Sequence, residues 1–123
     1  AKAREWMDAA IDKVADGVGT DEIAKLWPKA TDIGFANEMD AFGLQFGHGL
    51  GLGLHERPII SRLNSLTHPV EIKAGMVFAL ETYCPSPDGI SAARIEEEVV
   101  ITNNGAQVIT KFPAEKLFIT NPY

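Results

Sequence analysis

Phe46-Gly47-His48-Gly49-Leu50-Gly51-Leu52-Gly53-Leu54-His55-Glu56-Arg57-Pro58 is the stretch on which the reading of this chain turns. Glycine occupies every second position from Gly47 to Gly53, and two histidines stand seven apart in an otherwise apolar run. Backbone without a Cβ on alternate residues lets another strand or a ligand come close. Imidazole ligates metals and moves protons near neutral pH. The run from Gly43 to His55 therefore reads as extended chain carrying a site. A polar loop is expected from Glu56 to Pro69.

Downstream, Lys73-Ala74-Gly75 reads as a turn into a buried strand from Met76 to Tyr83, rich in β-branched and aromatic residues. Glu81 lies inside it. Ala92 to Thr102 and Ala106 to Thr110 flank Asn103-Asn104-Gly105, a hairpin signal, because Asn and Gly accept the positive φ of tight turns. Alternation puts Ile95, Glu97, Val99 and Ile101 on one face of the first strand, and Glu96, Glu98 and Val100 on the other. A carboxylate among apolar neighbours is costly unless paired or metal-bound. For Glu98 the plainer reading is a salt bridge or a solvated edge, for Glu97 that reading and a functional one both stand open, and for His68, beside Pro69, the reading is a structural role. For His48 and His55 a metal site and a structural role both stand open on spacing alone. Histidine with carboxylates would suit Zn, Mn, Co or Fe.

Upstream, Ala3, Met7, Ala10, Ile11 and Val14 recur at helical spacing. Thr20 reads as the N-cap of a second helix with Asp21 and Glu22 in its first turn. That helix should carry Ile23, Leu26 and Trp27 inward and stop near Pro28. Residues 29–43 have no clean period and read as irregular. Pro85 to Gly89 is a loop, and Phe112 to Tyr123 a short turn packed on the body.

The 123 residues suit one domain with a modest core. A formal charge of −6 argues against a nucleic-acid surface, which needs clustered Lys and Arg. No apolar run approaches the ~20 residues that cross a bilayer. The single cysteine, Cys84, excludes an internal disulfide and fits a reducing, cytoplasmic setting. The chain opens inside a helix without a starting Met, as a fragment of a longer protein would.

The motifs together resemble the pita-bread metallopeptidases: methionine aminopeptidase, aminopeptidase P, prolidase and creatinase. Gly47-His48-Gly49-Leu50-Gly51-Leu52 through His55-Glu56-Arg57-Pro58, then Lys73 to Glu81, then Arg94-Ile95-Glu96-Glu97-Glu98 to Gly105, follow the family's three signatures in order. The resemblance implies an α+β fold, a curved antiparallel sheet covered by helices, of which residues 1–123 form the C-terminal half. It implies a centre of two divalent metal ions, with His48, Glu81 and Glu96 as three of five ligands and Glu96 bridging. Glu81 would also act as general base, and His55 would contact substrate and assist proton transfer. His48, His55 and Arg94 would line the substrate, with Arg94 orienting a carboxylate; a purely structural ion pair is the other reading of Arg94. The intact protein is expected to be a homodimer that hydrolyses X-Pro peptides, with no nucleic-acid or membrane partner.

Three departures qualify the resemblance. The other two ligands of the family are aspartates on an upstream hairpin. Asp21 and Asp32 share the spacing but not the context, so the fragment alone should bind metal weakly and be inactive. Leu44 stands where aminopeptidase P and prolidase often carry a further histidine. Glu81-Thr82-Tyr83-Cys84-Pro85 and Ser91 to Glu98 look closer to the dimethylsulfoniopropionate lyase branch, where the metals serve a β-elimination. A non-catalytic binding module on the same scaffold is a third expectation, since fold does not settle reaction type.

Overall fold

The helical spacing near the N-terminus is realised in α1 (Lys2–Lys13), which buries Ala3, Met7 and Ala10. A computed structural model describes residues 1–41, 44–116 and 118. After Gly17, at φ 82°, the chain enters the short helix α2 (Thr20–Ala24). Its N-cap is Gly19 rather than Thr20. Thr20 is instead fully buried inside the helix, and its Oγ1 accepts the Val70 amide at 3.0 Å. A long-range partner thus took the hydroxyl that sequence assigns to a cap. Ile23 and Trp27 point inward as expected, but Leu26 is 36% exposed because α2 has already ended. Among the described residues of 29–41, one regular piece forms, a 3-10 turn at Ala30–Ile33.

The strands are β1 (Gly47–Gly49), β2 (Glu56–Ile60), β3 (Val77–Glu81), β6 (Glu96–Thr102) and β7 (Gly105–Val108). They form a curved antiparallel sheet in the order β2-β1-β3-β6-β7. A separate two-stranded ribbon pairs β4 (Cys84–Pro85) with β5 (Ala92–Ala93). The hairpin expected from Ala92 onward is therefore split: Arg94 and Ile95 break the strand, and the longer piece begins at Glu96. Side chains alternate across each strand. Phe78, Leu80, Val99 and Ile101 lie on the helix-covered face, packed with Met7, Ala10, Val14, Ile23 and Trp27. The Trp27 ring stands 4.4 Å from that of Phe46, which is fully buried.

Only Gly47 to Gly49 of the expected extended run forms a strand; the chain bends from Gly51 to His55, and Gly43 lies outside the described residues. The expected loop from Glu56 to Pro69 is corrected more strongly. It contains β2 and then α3 (Arg62–Ser65), whose cap Ser61 accepts the Asn64 amide at 3.1 Å. Its polar composition conceals a strand because only Ile60 at its end is fully buried. Phe112 and Phe118 pack on each other at 5.5 Å and stay 73% and 48% exposed, rather than burying in the body. The remainder of that tail, residues 117 and 119–123, lies outside the described residues. No described helix is long and apolar enough to cross a membrane.

Candidate metal centre

The sheet register builds the site. His48 on β1 sits opposite Ala79 of β3, and Glu81 is two residues further along that strand, on the same face. Glu81 in turn sits opposite Glu96, the first residue of β6. Three neighbouring strands thus each place one of these side chains on the face that the helices leave open. With Leu54, His55, Arg94 and Ile95 they line an open cavity of about 450 Å³.

The histidine is oriented by its own strand. His48 is 2% exposed, and its Nδ1 lies 2.9 Å from the carbonyl oxygen of Gly49. A carbonyl only accepts, so Nδ1 carries a proton, and in the neutral ring Nε2 keeps the lone pair that a metal needs. That Nε2 faces Oε1 of Glu81 at 3.2 Å. Two electron-pair donors at this distance repel unless a metal ion, or a proton on Nε2, lies between them. This is the observation that tests the donor set for a metal, and it fits one. The His55 ring tilts over that of His48 with centroids 4.1 Å apart. One ligand atom from each of His48, His55 and Glu81 can lie within 4.8 Å of one another.

Sequence reasoning grouped His48 with Glu81 and Glu96. The tightest group in space substitutes His55 for Glu96, whose carboxylate lines the cavity beside it. The seven-residue spacing of the histidines was the available signal for their approach. The bends between β1 and β2 realise it by folding His55 back over His48. Arg94 donates to Oε2 of Glu81 through one guanidinium nitrogen, leaving Oε1 toward His48. Asp21 and Asp32 take no part: Asp21 pairs with Lys25 at 2.7 Å, and Asp32 accepts the Lys29 amide at 3.3 Å. Glu98, on the same face, is exposed and outside the cavity.

Residues 1–103 match the model of metallopeptidase family M24. The chain belongs to this family. Its M24 relatives include the Xaa-Pro dipeptidase of Pyrococcus furiosus, 41% identical over 80 residues, which covers 63% of this chain and 21% of that one. Among solved structures, dipeptidase PepE from Mycobacterium ulcerans superposes with a TM-score of 0.68 at 33% identity, over 92% of this chain and 29% of that one. The prolidase from Pyrococcus horikoshii gives a TM-score of 0.70 at 26% identity, over 92% and 30%. The expected pita-bread architecture is therefore present. The chain spans between 19% and 32% of the length of curated relatives it matches.

One residue lining the cavity, Arg94, is placed by a loop remote from it. Arg94 follows β5, which pairs with β4 across the turn from Ser86 to Ser91. In that turn Asp88 accepts hydrogen bonds from the Ser91 hydroxyl and from the amides of Ser91 and Ile90. The Ser91 hydroxyl first, then these amides, hold its carboxyl down at about 2. A depressed folded value stabilises the turn above the ordinary carboxylate pKa of about 3.9, and the contribution is lost as pH falls through about 2. An NMR titration should show the Asp88 carboxyl titrating near 2 in the native protein, and Ser91→Ala should move it up toward the ordinary value.

Proposed function

We propose that this chain is the C-terminal part of the catalytic domain of a dinuclear metal-dependent Xaa-Pro peptidase, acting in the cytoplasm as a homodimer on small peptides. A preceding segment would supply the two aspartate ligands. The observation that carries this reading is His48 Nε2 facing Oε1 of Glu81 at 3.2 Å, with Glu96 across the strand and His55 overhead.

In this reading His48, Glu81 and Glu96 hold the metal ions, of which Mn, Co, Zn and Fe suit the donors. Divalent metals held there lower the pKa of bound water and polarise a carbonyl. The rest falls to the chain. Gly49 O fixes the His48 tautomer, and Arg94 fixes the Glu81 carboxylate by Oε2. Glu81 takes the proton of the attacking water on its other oxygen. His55, exposed at the cavity mouth, contacts the substrate and passes a proton to the leaving nitrogen.

The test is hydrolysis of X-Pro dipeptides by the protein at its full natural length, with and without Mn. Metal-dependent cleavage is expected, while residues 1–123 alone should bind metal weakly and substoichiometrically. Release of dimethyl sulfide from dimethylsulfoniopropionate, without peptide cleavage, would replace hydrolysis by elimination on the same scaffold. Neither activity, with the full ligand set intact, would leave a binding module.

A further inference from the structure

One buried carboxylate has no part in the chemistry above. Glu97 is 4% exposed on the helix-covered face of β6, next in sequence to Glu96. Arg4 of α1, 93 residues away, donates from Nη1 to its Oε1 at 3.0 Å. The same guanidinium donates to Asp8 Oδ1 from Nε at 2.8 Å and from Nη2 at 2.6 Å. Oε2 of Glu97 is buried without a hydrogen-bond partner among the described residues. A buried ion pair with an unsatisfied oxygen is poor value as a stabilising device, and apolar residues of similar volume commonly do as well or better.

Its position supplies a reason for it. The β7 ladder reaches only from Thr102 to Val99. Beyond Val99, the Glu98 carbonyl accepts the Ile109 amide at 2.8 Å and the Glu98 amide donates to the Thr110 hydroxyl at 2.6 Å, whereas among the described residues Glu96 and Glu97 are paired in a ladder on the β3 side alone. The end of β6 that carries Glu96 is thus held from one edge, and it is here that α1 reaches down onto the strand. Successive residues of a strand point to opposite faces, so fixing the Glu97 carboxylate fixes the pleat from which Glu96 projects.

We propose that Arg4 and Glu97 are positioning residues: α1 clamps the end of β6 through them and thereby sets Glu96 against Glu81 for metal binding. This rests on the reading of Glu96 as a ligand given above. In the full-length protein, Co titrations followed by visible absorption give affinity and coordination, and thermal melting gives stability. The double variant Arg4→Met/Glu97→Leu should melt at or above the wild-type temperature. Its Co affinity should nevertheless fall roughly 10- to 100-fold, the range seen when groups that orient a ligand are removed. Glu97→Gln, which keeps the shape, should lose affinity in the same direction and serves if the double variant does not fold. Wild-type affinity and spectrum in either folded variant overturn the proposal. Glu96→Ala is measured alongside. If it loses Co while the variants keep it, the clamp alone fails; if Glu96→Ala binds Co as wild type does, the assignment of the ligand fails and the clamp with it.

Discussion

Glu81→Gln in the full-length protein is expected to lower kcat for an X-Pro dipeptide by about 10²- to 10⁴-fold, the usual contribution of a positioned general base. Glutamine matches glutamate in shape and can still accept from Arg94, so the β3–β6 register should survive. What disappears is the negative charge opposite His48 Nε2, 3.2 Å away, and the oxygen that takes the proton of water. Assays at rising Mn separate the two losses: recovery to the wild-type rate at saturating Mn would leave Glu81 a ligand only and remove it as base. Glu98→Gln is the matched control. Glu98 shares the face and the charge but stands outside the cavity, and its replacement should leave the rate within a few-fold of wild type. Equal losses at both positions would point to bulk electrostatics rather than to a site.

Gly49→Ala is expected to destabilise the fold by roughly 3 kcal/mol, at the upper end for forcing an extra methyl group into a packed interior. A Cβ there would lie 2.5 Å from the carbonyl oxygen of Arg57 and 3.1 Å from that of Glu56. Both are backbone atoms of β2, at the point where the β1–β2 register shifts between His48 and Gly49. The strands must separate to admit the methyl, and the carbonyl of residue 49 that holds the His48 ring shifts with them. Thermal melting should therefore show a large drop in the midpoint, accompanied by weaker metal binding. Gly51→Ala supplies the contrast. The atoms nearest its Cβ belong to the flexible Glu56 carboxylate, with Oε2 at 2.6 Å, and that side chain can swing aside. A similar midpoint for both variants would contradict the packing argument.

These two expectations also mark how far the chain could be read unaided. Glu81 was recognisable because a carboxylate inside Met76 to Tyr83 has no cheap explanation, and period-two alternation placed Glu96 and Glu97 on opposite faces. The close approach at the alternating glycines was also legible, but not its agents, which proved to be the backbone of β3 at Gly47, the backbone of β2 at Gly49 and the Glu56 side chain at Gly51 and Gly53. The strand at Glu56–Ile60 and the helix after Ser61 stayed hidden because their partners lie elsewhere in the sequence: β2 exists through its ladder with β1, and polar side chains do not report a ladder.

By itself the sequence determined the residue types able to bind metal, from local period and the cost of burying charge, and its three motifs carried the resemblance that implied the family and its α+β class. Tertiary structure alone decided that the His55 ring folds over His48, that Arg94 takes one oxygen of Glu81, and that Arg4 meets Glu97 across 93 positions. The reason is physical: local pattern sets which face a side chain takes, whereas pairing between distant segments depends on strand register and helix docking, and those are settled only when the whole core closes.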